Sequence, residues 1–260
     1  MLNKFQIFKF IDLEKKNYFK KENKQIKFEI NQTWKKFLPA AFGGGILQIN
    51  LLVDTILASL LGFGSISYLY FADRVAQLPL GIIGIALGTT LLTSLSKSDA
   101  IKDVNQFSKE LVISLKIGLF FSIPAALVFI NFSDLLIKVL FERGEFSFQE
   151  TIQTSHALFA YAFGVPAFIM LKSCQPAFLA EGNTKTPMYI GFLLLVCNII
   201  LSFSLMIFLK HAGISLATSI VSWIGTIIYI TLLIKAGKIT KPKFSLKEDA
   251  ISLANSICCF

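Results

Sequence analysis

Long apolar runs separated by short polar stretches dominate this chain. Six of the runs reach the roughly 20 residues that an α-helix needs to cross a bilayer. They lie near 38–61, 76–96, 111–131, 152–172, 188–209 and 213–235. This pattern predicts an all-α integral membrane fold, with a six-helix transmembrane bundle over 38–235.

The segments outside the predicted bundle are polar or short. Residues 1–37 mix Phe and Ile with ten lysines, which indicates a basic cytoplasmic segment that either lies in the membrane interface or is simply solvated. Residues 236–249 are predicted to form a cytoplasmic loop. Residues 250–260 are apolar but too short to cross a membrane, so we interpret them as the truncated start of a seventh span. We therefore expect the chain to be part of a longer protein.

Basic residues fall mostly on one side of the predicted bundle. Twenty lysines lie in or beside residues 1–37, 97–110, 172–187 and 235–247, whereas the alternate loops hold four basic residues. Those four are Arg74, Lys138, Arg143 and Lys210. Because Lys and Arg concentrate in cytoplasmic loops, the asymmetry predicts a multi-pass protein whose N-terminus is cytoplasmic.

Composition supports the membrane assignment, and it argues against a nucleic-acid-binding protein and against an enzyme. Only 16% of residues are charged and the mean hydropathy is +0.66, whereas a soluble domain carries about 25% charged residues. The net charge of +9 comes from lysines between apolar runs, so it indicates topology and not a nucleic-acid partner. His156 and His211 are isolated, and the four cysteines have no metal or disulfide spacing. We therefore expect no enzyme activity and no bound cofactor.

Polar residues within the predicted spans are more informative. Asp54 is the single carboxylate at membrane depth and lies roughly 10 Å below the outer end of its helix. Ser202 and Thr218 lie at similar depths on two other helices, and Asn198 precedes Ser202 by one turn. Oxygen ligands from three helices suit a monovalent cation or a proton. The alternative is that Asp54 is neutral or paired within the bundle.

An Asp-Arg pair stands at the threshold of the second span. The stretch "YFADRVAQLPLGIIGIALGTTLL" carries Asp73 and Arg74, then Gln77 and Pro79. Arg74 either extends to the outer headgroups or pairs with Asp73, or it faces a cavity and binds an anionic group. A planar guanidinium suits a diphosphate because it donates two parallel hydrogen bonds. The glycines of this stretch, including Gly84 and Gly88, allow close approach of another helix.

Four stretches together resemble the second half of the MurJ/MviN family of lipid II flippases. They are "LPAAFGGGILQINLLVDTILASLL", "SISYLYFADRVAQLPLGIIGIALGTTLLTSLSK", "LFERGEFS" and "YAFGVPAFIMLKSCQPAFLAEGNTKTP". The resemblance covers roughly residues 30 to 240, and it departs at Thr93, where the family often has Pro.

The resemblance implies one lobe of a fourteen-helix fold of the multidrug/oligosaccharidyl-lipid/polysaccharide exporter superfamily. Such a protein has two six-helix lobes and two further helices in the bacterial inner membrane. It moves lipid II, an undecaprenyl-diphosphate-linked disaccharide-peptide, to the periplasmic leaflet by alternating access. The expected partners are this lipid, the surrounding membrane lipids and the missing amino-terminal lobe.

The resemblance also implies roles for particular residues. Arg74 matches a cavity arginine of the family, so we expect it to bind the substrate's diphosphate, with Asp73 and Gln77 orienting it. Asp54, Asn198, Thr218 and the carbonyl of Ile214 match a sodium site of some members. Ser202 stands where that site has a second Asp, which removes one negative charge. The expected coupling ion is therefore Na⁺.

Two other functions remain open from the sequence. One is a different exporter of the same superfamily, for polysaccharide units or for drugs in exchange for cations. The other is a membrane scaffold without transport activity, which a stand-alone six-helix lobe would permit.

Overall fold

The computed structural model describes Trp34, residues 45–46 and residues 48–239, and it confirms the all-α membrane fold. The described residues form eight α-helices and contain no β-strand. The helices are α1 (Gln48–Ser59), α2 (Ser65–Pro79), α3 (Ile85–Ala100), α4 (Val104–Phe141), α5 (Phe148–Ala162), α6 (Val165–Ala180), α7 (Lys185–Leu209) and α8 (His211–Lys235). The predicted basic segment, apart from Trp34, and the predicted truncated span lie outside the described residues. So does most of the predicted loop 236–249.

By length and composition, the described helices provide four membrane spans, or five when one bent pair counts as a single span. The four are the continuous helix Ser65–Ala100 and the helices α4, α7 and α8. The described part of α1 has 12 residues, which is shorter than a span. The first predicted span, 38–61, is therefore described as a helix only from Gln48 onward.

The second span is longer than its apolar run predicts. Its helix begins at Ser65, so Asp73 and Arg74 lie more than two turns inside it and not at its end. A five-residue π-helix, Leu80–Gly84, follows Pro79 and joins α2 to α3. Proline has no backbone N–H and its ring crowds the preceding turn, so the helix widens here instead of continuing regularly.

The predicted span over 152–172 is divided into two helices. α5 and α6 meet at an angle of 47° around Phe163 and Gly164. A Cβ at Gly164 would lie 2.6 Å from the Ser219 hydroxyl, and Pro166 occupies the first turn of α6. Glycine is therefore needed where α8 crosses the bend, and the adjacent proline starts a new helix.

Glycines allow close packing of helices on both sides of α6. A Cβ at Gly88 would lie 3.4 Å from the backbone oxygen of Lys172, and one at Gly84 would lie 3.7 Å from the Lys172 Cβ. On α4, a Cβ at Gly118 would approach Ile169 to 3.0 Å. Small residues thus bring α3 and α4 against α6, as the Gly84 and Gly88 spacing predicted.

The helices bury two apolar clusters and expose the rest of their apolar surface. One cluster includes Leu57, Ala58 and Ile214, and the other includes Leu111 and Tyr229. Large apolar side chains remain exposed along the helices, as expected where a surface contacts lipid acyl chains. Those on α7 are Phe192, Leu193, Val196, Ile199, Ile200, Phe203, Ile207, Phe208 and Leu209.

The lysine-rich end of the bundle is held by polar contacts outside the spans. Lys238 forms an ion pair with Glu181 in the α6–α7 loop, and its ammonium lies 5.3 Å from the centre of the Phe107 ring. Burial lowers the pKa of Lys238 below its usual value, and the negative charge of Asp99 opposes that shift. The segment after α8 thereby anchors the loop at which α7 begins.

The tightest backbone contact joins α7 to α8. Only Lys210 separates these helices, and a Cβ at Gly213 would lie 2.4 Å from the Leu205 carbonyl oxygen and 2.9 Å from the Met206 nitrogen. These are backbone atoms, so a side chain cannot enter unless the two helices move apart.

We predict that Gly213→Ala destabilises the full-length protein, because the added methyl group overlaps the backbone of α7. Overpacking of this kind costs about 1–3 kcal/mol, which corresponds to a fall in Tm of about 5 °C. Thermal unfolding in detergent measures the shift. Gly191→Ala is the matched control, since a Cβ there lies 3.6 Å from Ile46, an ordinary contact. Equal stability of the two variants would contradict the packing argument.

Candidate functional site

The carboxylate of Asp54 is buried among three helices. Asp54 lies on α1, and only 9% of its surface is exposed. The Asn198 amide on α7 donates a hydrogen bond of 2.9 Å to one carboxylate oxygen. The Thr218 hydroxyl on α8 lies 3.4 Å from the other. The fold therefore brings together residues that are 144 and 164 positions apart in the sequence.

Asn198 is the central connection of this cluster. Its amide nitrogen also donates to the side-chain oxygen of Asn50 at 2.9 Å, so it holds two residues of α1 at once. Its own side-chain oxygen lies 3.4 Å from the Thr218 hydroxyl. Asn198 is 1% exposed. A buried amide of this kind is stable because each of its polar atoms has a partner.

The Thr218 hydroxyl has more oxygen neighbours than it can donate to. It lies 3.2 Å from the Ile214 carbonyl oxygen, in addition to the oxygens of Asp54 and Asn198. A hydroxyl has one hydrogen to donate. The distances are also longer than the roughly 2.7–2.8 Å typical of O–H···O hydrogen bonds. The oxygen atoms of this cluster outnumber the hydrogens that could bridge them, and a bound cation would satisfy the remaining oxygens.

The spacing of these oxygens fits a shared cation. Two oxygens that bind one ion at about 2.4 Å, a distance found for hard cations in proteins, lie roughly 3.4 Å apart at neighbouring octahedral positions. The groups that hydrogen-bond Asp54 are neutral, so they do not cancel the charge of its carboxylate. A buried carboxylate with neutral partners is stabilised by protonation or by a bound cation. One carboxylate among neutral oxygens suits a monovalent ion.

Ser202 lies beside this cluster but is not hydrogen-bonded to it. The residue is fully buried one turn after Asn198 on α7. Its hydroxyl has no hydrogen-bond partner among the described residues. The structure thus joins four of the five predicted ion-site residues and places the fifth one helical turn from Asn198.

The second predicted group divides between two faces of α2. Gln77 donates a hydrogen bond of 2.5 Å to the Asp73 carboxylate, and both side chains are half-buried. Arg74 is exposed, and its guanidinium lies 4.8 Å from the centre of the Tyr70 ring. Asp73 and Gln77 therefore hold each other, whereas the residue that supports Arg74 is Tyr70.

Sequence reasoning missed two residues of these groups. Asn50 precedes Asp54 by four positions, and Tyr70 precedes Arg74 by four. Residues at this spacing lie on one face of a helix, so both were available from the sequence. Asn50 is also the one polar side chain in the turn before Asp54 that reaches another helix.

The other candidates from the sequence have structural contacts. A ring nitrogen of His211 lies 2.8 Å from the Gln153 carbonyl oxygen, and Cys174 is fully buried in an apolar cluster. In the loop after α4, Glu142 accepts a hydrogen bond from Thr151. Within the described ranges, no three His, Cys, Asp or Glu side chains converge as a metal centre.

Comparison with known proteins gives one consistent family. The family model described as lipid II flippase MurJ matches residues 3–259. A probable lipid II flippase MurJ of Rhizobium meliloti is 37% identical over 200 residues, which cover 77% of this chain and 37% of that protein. Lipid II flippase MurJ of Burkholderia cenocepacia is 31% identical over 202 residues, covering 78% and 39%. The chain thus spans less than half the length of these relatives.

Solved structures agree with this result. The chain is similar to lipid II flippase MurJ in an inward closed conformation, with a TM-score of 0.71 and 32% identity over 86% of this chain and 46% of that one. It is also similar to an outward-facing multidrug resistance transporter of the MATE family, with a TM-score of 0.70 over 80% and 46%. The identity there is 17%, so that likeness concerns the fold alone.

Proposed function

The chain belongs to the MurJ family of lipid II flippases, and from this premise we propose that it forms the carboxyl-terminal lobe of such a transporter. The complete protein would move lipid II from the cytoplasmic to the periplasmic leaflet of the bacterial inner membrane by alternating access. The family match over residues 3–259 supports this proposal, together with an alignment that covers 37% of a curated relative. The expected role is transport and not catalysis.

The proposal requires a second lobe. A substrate that crosses between leaflets needs a cavity with two walls, and the described helices supply one of them. The amino-terminal lobe would supply the other, and the N-terminus of the present chain would be cytoplasmic, since the lysine-rich loops lie on that side.

Arg74 is proposed to bind the diphosphate of the lipid carrier. It is exposed on α2, in a helix that is otherwise mostly apolar. Its contact with Tyr70 leaves the guanidinium edge free to donate two parallel hydrogen bonds. Asp73 and Gln77 hydrogen-bond each other, so we assign them to fixing this part of α2 beside the arginine.

The Asp54 cluster is proposed to bind the coupling ion, sodium. A bound ion changes the balance between inward- and outward-open states only if the two states bind it with different affinity. The cluster supports such a difference because its oxygens come from α1, α7 and α8, and a shift of any one helix separates them. Ser202 would contribute a neutral oxygen beside the site.

Sodium should stabilise the full-length protein, and Asp54→Asn should abolish the effect. A ligand at a hundredfold excess over its Kd adds about 2.7 kcal/mol to stability, which is measurable as a higher Tm in sodium than in choline chloride. Asp134→Asn is the control, because Asp134 is an exposed carboxylate on α4. A wild-type Tm that is the same in both salts would show that this member has no sodium site.

Replacement of Arg74 should impair transport according to the geometry of the new side chain. Arg74→Ala should retain little or no activity, and Arg74→Lys only part of it, since an ammonium is a point charge without the planar fork. Complementation of cells depleted of their own flippase, with the expression level checked, measures the effect. Arg143→Ala is the control, because Arg143 lies in the loop after α4 and donates a hydrogen bond to the carbonyl oxygen of Leu140 in that helix. Normal growth on Arg74→Ala would instead assign Arg74 to the lipid headgroups.

The 260 residues expressed alone should not rescue flippase-depleted cells, because they provide one wall of the proposed cavity. The full-length protein should rescue in the same assay and serves as the positive control. Growth supported by the 260 residues alone would contradict the two-lobe proposal.

A further inference from the structure

A cavity of about 360 Å³ extends from the Asp54 cluster toward the lysine-rich end of the bundle. It lies between α1, α6, α7 and α8. Asn50, Asn198 and Thr218 line one end, and Thr184, just before the start of α7, lines the other. The 14 residues from Thr184 to Asn198 correspond to roughly 21 Å of helix. The cavity therefore runs from the cluster to the end of the bundle where α7 begins.

The walls of the cavity carry polar side chains that water can hydrogen-bond. They are those of Asn50, Gln175, Asn198, Thr218 and Ser222. A polar cavity holds water where about 10–15 Å³ is free for the centre of the molecule. The volume of about 360 Å³ exceeds this requirement, so the cavity has both the room and the polar partners for water.

The opposite side of Asp54 is closed by apolar packing. Leu57 and Ala58 follow Asp54 on α1, and both are buried in a cluster that includes Ile214 and Leu69. Ala58 and Ile214 are fully buried. An ion entering from that end would cross a dry apolar layer at high cost. In this arrangement of the lobe, the cavity is the lower-cost route to the carboxylate.

We propose that this cavity is a hydrated passage by which a sodium ion reaches Asp54 from the lysine-rich side, within the lobe itself. Asn50 stands at the inner end of the passage and contributes an oxygen to the ion, while Gln175 and Tyr229 line its course. The passage is separate from the wall of the substrate cavity assigned to Arg74. The inference rests on the sodium site of the proposed function.

Cysteine labelling in the full-length protein tests the passage. Ser222→Cys, in a cysteine-free background, places a thiol in the cavity wall one turn from Thr218. A charged, membrane-impermeant thiol reagent added to inside-out vesicles should label it at least about tenfold faster than Ile227→Cys, because only a hydrated thiol ionises and reacts. Ile227 lies on α8 between Ser222 and Tyr229, but it is 60% exposed and outside the cavity wall.

A plug variant verifies that the reagent travels through the cavity. Gly191 lines the passage, and a Cβ there meets only Ile46 at 3.6 Å. Gly191→Phe should fill the passage and slow labelling of Ser222→Cys by about tenfold, whereas Gly191→Ala should leave the rate within about twofold. Unchanged labelling with Gly191→Phe would overturn the route.

Sodium separates failure of the passage from failure of the ion site. If both are correct, sodium slows labelling of Ser222→Cys from the cytoplasmic side, and Asp54→Asn removes this protection. Labelling that sodium never slows would retain the passage and reject the ion site. A sodium-dependent rise in Tm without cytoplasmic labelling would retain the ion site and overturn the passage.

Discussion

The Asp54 carboxylate lies at membrane depth with neutral hydrogen-bond partners, and the arrangement of three helices depends on satisfying it. Such a group is costly in a bilayer unless protein groups or an ion compensate its charge. Asn198 and Thr218 reach it from α7 and α8, and Asn198 also holds Asn50 on α1. The position of α1 against the α7–α8 pair is therefore coupled to whatever occupies the cluster.

Close packing elsewhere fixes the register of α8, and with it the position of Thr218. Gly213 allows α8 to turn directly against the backbone of α7, and Gly164 allows Ser219 to approach the bend between α5 and α6. At that bend, Ser219 donates a hydrogen bond of 2.8 Å to the Ala160 carbonyl oxygen. Thr218 is the preceding residue, so the contacts that anchor α8 also direct Thr218 toward Asp54.

Much of the candidate ion site could be predicted from the sequence, and the reason is local. Asp54, Asn198 and Thr218 are polar residues in apolar runs at comparable depth, and a helix converts sequence position into depth at a constant rise. The apolar runs likewise predicted the spans of α7 and α8 nearly to their ends. The position of Arg74 was less accurate, because α2 begins at Ser65, well before the strongly apolar run.

The sequence by itself determined the fold class, the membrane setting and the residue types available for the proposed ion and lipid sites. Apolar runs and the positions of charged residues can be read along the chain without knowing which helices are neighbours. Only the tertiary structure decided the bend at Gly164, the pairing of Asp73 with Gln77, the contact of Arg74 with Tyr70 and the cavity beside Asn198. It also left the Ser202 hydroxyl without a hydrogen-bond partner among the described residues. The bend and the cavity arise from contacts between residues far apart in the chain. Such contacts depend on which helix faces meet, and no local pattern specifies that.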